Sequence, residues 1–199
     1  IYERCRTVLA RYGLGPETEE LYPFELSGGM ARRVLISTAV VETPKLIIAD
    51  EPTPGLDSRA AGRILGHFRE LADEGSGVLL ITHDLGIVAE TCDYVAIMYA
   101  GEIIEYGTVE DIYNGDIHHP YTVGLFNAIP NLTSETKRLS PIAGLMPDPT
   151  HLPEGCSFSP RCPHATERCR TAPPAVYLKG SHRICCHLFA DREGWKEDA

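Results

Sequence analysis

Leu46-Ile47-Ile48-Ala49-Asp50-Glu51 and Gly77-Val78-Leu79-Leu80-Ile81-Thr82-His83-Asp84 are two short apolar runs, each closing on ionisable side chains. Runs of this length without polar alternation read as strands of a parallel sheet buried on both faces. Between them, Ser58–Asp73 carries Ile64, Leu65, Phe68 and Leu71 on one helical stripe, and Gly75 closes it. Strand, helix and strand in this order form a βαβ unit, so the expected fold class is α/β. Folds of this class hold ligands just past the carboxyl ends of the strands, where both runs place their charged residues.

Upstream, residues 1–26 read as a helix, a turn at 13–16 and a polar connection. Ser27-Gly28-Gly29 then opens a helix over 30–41, with Ser27 at its N-cap, and Pro44 punctuates it. Downstream, residues 94–106 read as an antiparallel hairpin bending at Ala100-Gly101. Short helices near 109–113 and 121–128 follow. From Pro130 onward prolines are dense, alternation is lost and cysteines gather, so composition changes near 130–150. Residues 1–115 read as one domain of a parallel sheet, helices and the hairpin. Residues 116–199 read as a C-terminal region with a small irregular Cys-rich module.

The formal net charge is −10, with 22 acidic against 11 basic residues over 1–150 and 6 against 7 over 151–199. Such an acidic surface repels phosphate backbones, which disfavours non-specific nucleic-acid binding. The longest apolar runs, such as 94–100, are far too short to cross a bilayer, so a membrane role comes through partners.

Asp50 and Glu51 are adjacent carboxylates at a strand end. They can hold Mg²⁺ and orient a water for attack on a phosphate, although an exposed acidic strand end is the plainer reading of the pair alone. His83 ends the neighbouring strand and can meet the same ligand. Leu26-Ser27-Gly28-Gly29-Met30 offers a hydroxyl, two glycines and a helix N-terminus, which suits an anion, though Ser-Gly-Gly also occurs in ordinary turns.

Taken in order, Leu26-Ser27-Gly28-Gly29, the run ending Asp50-Glu51-Pro52-Thr53, Gly55-Leu56-Asp57 and Ile81-Thr82-His83-Asp84 resemble the ATP-binding-cassette ATPases over roughly residues 20–107. The resemblance implies a role for each. Ser27, Gly28 and Gly29 match the signature loop, which reaches the γ-phosphate bound by a second subunit. Asp50 matches the Walker B aspartate, linked to Mg²⁺ through water. Glu51 matches the general base, Asp57 the D-loop aspartate and His83 the switch histidine. Arg32 stands where Gln is common, and Pro54-Gly55 where Ser-Ala or Thr-Ala is common. Neither departure is expected to touch the chemistry directly, while Pro54 is expected to stiffen the dimer contact. No Gly-x₄-Gly-Lys-Ser/Thr loop occurs in these 199 residues. Without its phosphate cradle and Lys they are not expected to form a complete ATP site alone.

His118-His119-Pro120-Tyr121-Thr122 and Ala128-Ile129-Pro130 resemble the segment after the ATPase core in dipeptide/oligopeptide importers. Locally the same residues read as a Pro in the first turn of a helix with Tyr121 packed inside. The resemblance implies an ATPase subunit driving dipeptide or oligopeptide import from the cytoplasmic face of the membrane. Its implied partners are a second ATPase subunit, two transmembrane permease subunits and, indirectly, a solute-binding protein.

Cys156, Cys162, Cys169 and the Cys185-Cys186 pair lie in a Pro-rich tail with little apolar material, where a staple is expected. A reducing compartment favours metal over disulfides. No Cys-x₂₋₄-Cys knuckle is present, and the wide spacings suit thiolates gathered from separate loops. The stretch Cys156-Ser157-Phe158-Ser159-Pro160-Arg161-Cys162-Pro163, with Cys-His near the end, resembles importer ATPases that carry a [4Fe–4S] cluster. The family pattern implies Cys156, Cys162, Cys169 and Cys186 as ligands. Zinc and free or disulfide-bonded thiols remain alternatives. Cys5 and Cys92 are expected to be ordinary buried thiols. Two further readings stay open: a non-hydrolysing metal-binding regulatory fragment, and the ATPase of a nickel or other-solute importer.

Overall fold

The computed structural model describes residues 2–129 and 141–198. The chain divides into two compact units, Ile1–Thr91 and Cys92–Ala199. Pro130, the end of the Ala-Ile-Pro motif, lies outside the described residues. Among the described residues no helix is long and apolar enough to cross a membrane.

The first unit contains α1 (Tyr2–Arg11), α2 (Gly28–Val40), β1 (Leu46–Asp50), α3 (Ser58–Asp73), β2 (Gly77–Ile81) and α4 (Leu85–Thr91). β1 and β2 pair in parallel, in register from Leu46 opposite Gly77 to Asp50 opposite Ile81. Asp57 starts α3 by accepting the Ala60 N–H at 2.8 Å, and Gly75 leaves it at φ 102°. The α3 stripe packs Ile64, Phe68 and Leu71 against Ile47 and Ala49 of β1, with Tyr12 and Val40 completing the core. Burial on both faces of the sheet is not found. Ile47 and Ala49 are buried, whereas Leu46 and Ile48 are 60% and 63% exposed, and Leu79 and Ile81 of β2 are exposed beside them. Helices among the described residues cover one face only, so the apolar side chains on the other face meet solvent.

The second unit is built on one antiparallel sheet of β3 (Tyr94–Tyr99), β4 (Glu102–Thr108), β5 (Val176–Lys179), β6 (His182–Cys185) and β7 (Lys196–Glu197). The strand order is β3-β4-β6-β5-β7. The β3–β4 turn sets Ala100 at φ 49° and Gly101 at φ 86°, the two positive values that a tight hairpin turn requires. α5 (Val109–Tyr113), α6 (Pro120–Asn127) and α7 (Glu167–Thr171) complete the unit.

One expectation needs correction here. The tail is not simply irregular and core-poor: β5, β6 and β7 lie in it, and Tyr177, Ile184, Cys186, Phe189 and Trp195 form their own buried cluster. The hairpin groups with the tail, because Glu105 and Tyr106 of β4 pair with Ile184 and Arg183 of β6. Composition sets a boundary after 115; the hydrogen-bonded ladder runs across it.

Candidate nucleotide site and cysteine group

The parallel register that sets Asp50 beside Ile81 brings the next residues together. The Glu51 N–H donates to the Ile81 carbonyl at 2.9 Å, extending the ladder by one bond. Glu51 Oε1 then accepts from the His83 N–H at 3.1 Å and meets His83 Nδ1 at 2.7 Å. This shared hydrogen bond holds the Glu51 carboxyl below its usual range and raises the His83 imidazole, so each favours the charged form of the other. Asp50 is exposed at the strand end. Glu51 Oε2 is shielded and has no hydrogen-bond partner among the described residues.

Ser27 is the N-cap expected for α2, its Oγ accepting from the Met30 N–H at 3.2 Å. A methyl group added at Gly29 would meet the Gly55 carbonyl and a Leu56 methyl at 3.6 Å, while Gly28 faces open space. The carboxylate of Asp57 is occupied as the cap of α3, and the Ala60 N–H is the main cause of its lowered pKa. Pro54-Gly55 forms a turn closed by Leu56 N–H to Thr53 O at 3.1 Å, with Gly55 at φ 78°, the geometry for which Pro-Gly is suited.

Arg32, which stands where Gln is common, reaches the strand end: its guanidinium Nη1 donates to the backbone carbonyl of Glu51. The sequence carried the signal, an Arg in place of Gln, but not its reach.

Several of the tail cysteines lie near one another. The Cys156 N–H donates to the Cys169 carbonyl at 2.8 Å, and the His164 N–H reaches the Cys162 sulfur at 3.4 Å. Burial pushes the Cys186 thiol up to about 12, and the charges of Cys156, Cys162 and Cys169 act on it in the same direction. The backbone of Leu188 donates to Cys186 and that of Phe158 to Cys156. Cys185 differs: its Sγ donates to the Pro174 carbonyl at 3.4 Å, and burial pushes it up to about 11, with the charges of Glu102 and Cys156 acting in the same direction. Cys5 and Cys92, expected to be buried, are half-buried.

Sequence reasoning missed a third group. Glu105 on β4 is 1% exposed, and its Oε1 lies 2.8 Å from both His118 Nδ1 and His182 Nε2. Its Oε2 accepts the His119 N–H at 2.8 Å. His118 Nε2 lies 2.7 Å from the Gly115 carbonyl. Both neighbours of the His118 ring are acceptors, so both ring nitrogens carry protons and the ring is an imidazolium. The three ligand-type atoms lie within 4.8 Å of one another, yet their own protons already satisfy them. His119 caps α6 through Nδ1, accepting the Tyr121 N–H at 3.0 Å, and Tyr121 packs on Tyr99 and Phe158 as expected.

This group predicts an acid response. Burial alone would raise the Glu105 pKa, but the bonds from His118 and His182 outweigh it and hold the carboxyl at about 2, against an ordinary 4.5. Its stabilisation is complete above 4.5 and is lost as pH falls through 2. Burial lowers His119 from 6.5 to about 4, so a neutral His119 adds stability that is lost as pH falls from 6.5 to 4. His118 is raised by its bond to Glu105, and its share is lost as pH rises through that raised value. Trp195, the sole Trp, packs on the His182 ring with centroids 5.3 Å apart and reports on this region. Its emission should shift to the red on acidification from about pH 6.5 towards 2, and Glu105→Gln should cost about 3 kcal/mol at neutral pH. Identical acid profiles for the wild type and Glu105→Gln would overturn this account.

Residues 2–54 match the family model described as ABC transporter, and residues 104–169 match that described as oligopeptide/dipeptide transporter, C-terminal region. The chain is 46% identical over 168 residues to the oligopeptide transport ATP-binding protein OppD of Salmonella typhimurium, covering 83% of this chain and 50% of that protein. It is 41% identical over 177 residues to the dipeptide transport ATP-binding protein DppD of Escherichia coli, covering 88% and 54%. Among solved structures, the ATP-binding subunit of an ABC transporter aligns with a TM-score of 0.51 at 33% identity, over 57% of this chain and 47% of that one. A dimeric bacterial ABC transporter cassette aligns with a TM-score of 0.50 at 28% identity, over 54% and 46%. The chain spans about half the length of the curated relatives it matches. Its ordered motifs, its paired strand ends and these relatives agree: the chain is similar to the ATP-binding proteins of oligopeptide and dipeptide ABC transporters, and two of its segments match family models of that group.

Proposed function

We propose that this chain is the C-terminal portion of a subunit that hydrolyses ATP to drive import of dipeptides or oligopeptides. The observation that carries the reading is the Glu51 carboxylate bonded to His83 at the ends of two parallel strands. His83 holds one oxygen of Glu51 and keeps the carboxyl ionised, the form that can accept a proton from an attacking water. Asp50 would hold Mg²⁺ through water, and His83 would contact the γ-phosphate. Ser27, Gly28 and Gly29, at the N-terminus of α2, would meet the nucleotide of a second ATPase subunit, with Asp57 at the dimer contact. ATP and Mg²⁺ supply the phosphoryl group and its charge compensation.

In this reading residues 1–115 supply the ATPase elements and 116–199 the importer-type region. The uncovered face of β1 and β2 packs against the remaining half of the longer protein. Two permease subunits and a solute-binding protein complete a transporter, with this subunit on the cytoplasmic face of the membrane. The dimeric cassette among the related structures supports pairing with a second ATPase subunit.

Cys156, Cys162, Cys169 and Cys186 would hold a [4Fe–4S] cluster, which supplies a cross-link among separate loops of the tail. The backbone N–H groups directed at these sulfurs suit thiolates bound to iron.

The test uses two preparations. The 199-residue chain alone lacks a phosphate cradle and should show no saturable ATP binding in the micromolar range by calorimetry. The longer subunit carrying the Gly-Lys loop, assembled with its permeases, should hydrolyse ATP faster when peptide-loaded binding protein is added. A stoichiometric ATP site on the short chain, or hydrolysis indifferent to peptide, would contradict the proposal.

A further inference from the structure

Glu51 occupies an unfavourable backbone conformation, with φ 44° in a residue that carries a Cβ. Such a residue keeps its shape only if its surroundings fix it. Its amide is held by the Ile81 carbonyl at 2.9 Å, and its carboxylate by His83. Both anchors come from the end of β2. The remaining polar group, the Glu51 carbonyl, is held from a different element by Arg32 of α2.

The neighbouring arginine braces the same helix in another direction. Arg33 donates to the Tyr12 carbonyl at 3.0 Å, the Gly13 carbonyl at 3.3 Å and the Gly29 carbonyl at 3.1 Å. Arg32 is therefore the link between Glu51 and the helix that begins at Ser27. A guanidinium is permanently charged and donates from a rigid fork, so it grips a carbonyl more firmly than the shorter, neutral amide of Gln.

We infer that Arg32 is a positioning residue for Glu51, fixing the backbone from which the carboxylate faces its water and tying that backbone to the signature helix. The inference rests on the proposal that Glu51 is the general base. Without Arg32 the carbonyl loses its charged partner and Glu51 can relax towards negative φ, turning its side chain away from His83. Rates respond steeply to such displacements, because a catalytic group misplaced by about 1 Å can cost on the order of 10²-fold.

The experiment measures steady-state hydrolysis and ATP affinity in the longer subunit assembled with its permeases. Arg32→Ala should lower kcat by about 10–100-fold while the KM for ATP stays within about threefold. Arg32→Lys, which keeps a cationic donor, should recover part of the loss. In a Glu51→Gln background, Arg32→Ala should cause no further slowing, because a residue acting only through Glu51 has nothing left to position. A purely structural role would add its cost in either background. If Arg32→Ala does not fold, Arg32→Gln takes its place in the same cycle. Turnover within about twofold of wild type, or an additive loss in the double variant, overturns the role of Arg32. Near-wild-type turnover of Glu51→Gln itself overturns the underlying assignment, whatever Arg32 does.

Discussion

Glu51→Gln in the full-length, transporter-assembled subunit is expected to bind ATP normally and to hydrolyse it about 10²–10⁴-fold more slowly. The substitution is nearly isosteric. It leaves an oxygen to accept from the His83 N–H, which now meets Glu51 Oε1 at 3.1 Å, so the strand ends should keep their arrangement. What it removes is a base. His83 holds the Glu51 carboxyl below its ordinary range, so Glu51 is ionised at neutral pH, whereas an amide cannot take a proton from water. Binding should persist because ATP is held chiefly by its phosphates, through groups other than Glu51. Nucleotide affinity and turnover measured on one preparation separate the two effects. Near-wild-type turnover with normal ATP binding would sink the assignment.

The second large effect concerns the tail. Prepared and kept without oxygen, the protein should be brown, with broad absorbance near ~400 nm from sulfur-to-iron charge transfer. Serine at Cys156, Cys162, Cys169 or Cys186 should abolish the colour and open the tail to protease. Serine at Cys185 should be tolerated. The ligand choice follows the surroundings of the two adjacent thiols. Cys186 is buried and feels the charges of Cys156, Cys162 and Cys169, whereas Cys185 ends β6 and donates to the Pro174 carbonyl. Burial keeps the free Cys186 thiol protonated, so cluster assembly must displace its proton and should weaken as pH falls. Tyr177, Ile184, Phe189 and Trp195 form a core without any metal, so loss of the cluster should loosen the tail and leave part of its fold. About one zinc and no iron in anaerobic protein would overturn the cluster. Colour lost in Cys185→Ser and kept in Cys186→Ser would overturn the ligand choice.

The parts of this fold that announce themselves in sequence are those set by local chemistry. The α3 stripe, the Ser27 and Asp57 caps and the Ala100-Gly101 turn depend on residues within one or two turns of chain. The meeting of Glu51 and His83 was legible for a related reason, since each lies just past the end of a strand in one βαβ unit. Pairings between distant segments were not legible. Nothing near Glu105 indicates a partner 77 residues away at His182, and a Glu within a hairpin strand reads as a solvent-facing residue. The β5 and β6 strands were hidden by the prolines around them, which mark loops but do not exclude the short runs between. Arg32 escaped for a geometric reason: its side chain acts far from its own backbone, on a residue that helix periodicity does not connect to it.

The central place of β4 bears on how this protein can be shortened. β4 is flanked by β3 and β6, so its backbone groups are used on both sides where the ladders overlap. Trimming the chain before residue 176, as composition alone would invite, removes β6 and leaves β4 as an outer strand. Its unpaired N–H and C=O groups would then face solvent, next to the already exposed Ile103. Such an edge is a template for pairing with another copy. A shortened protein would thus gain a further route to intermolecular sheet growth, at a strand edge that the tail covers.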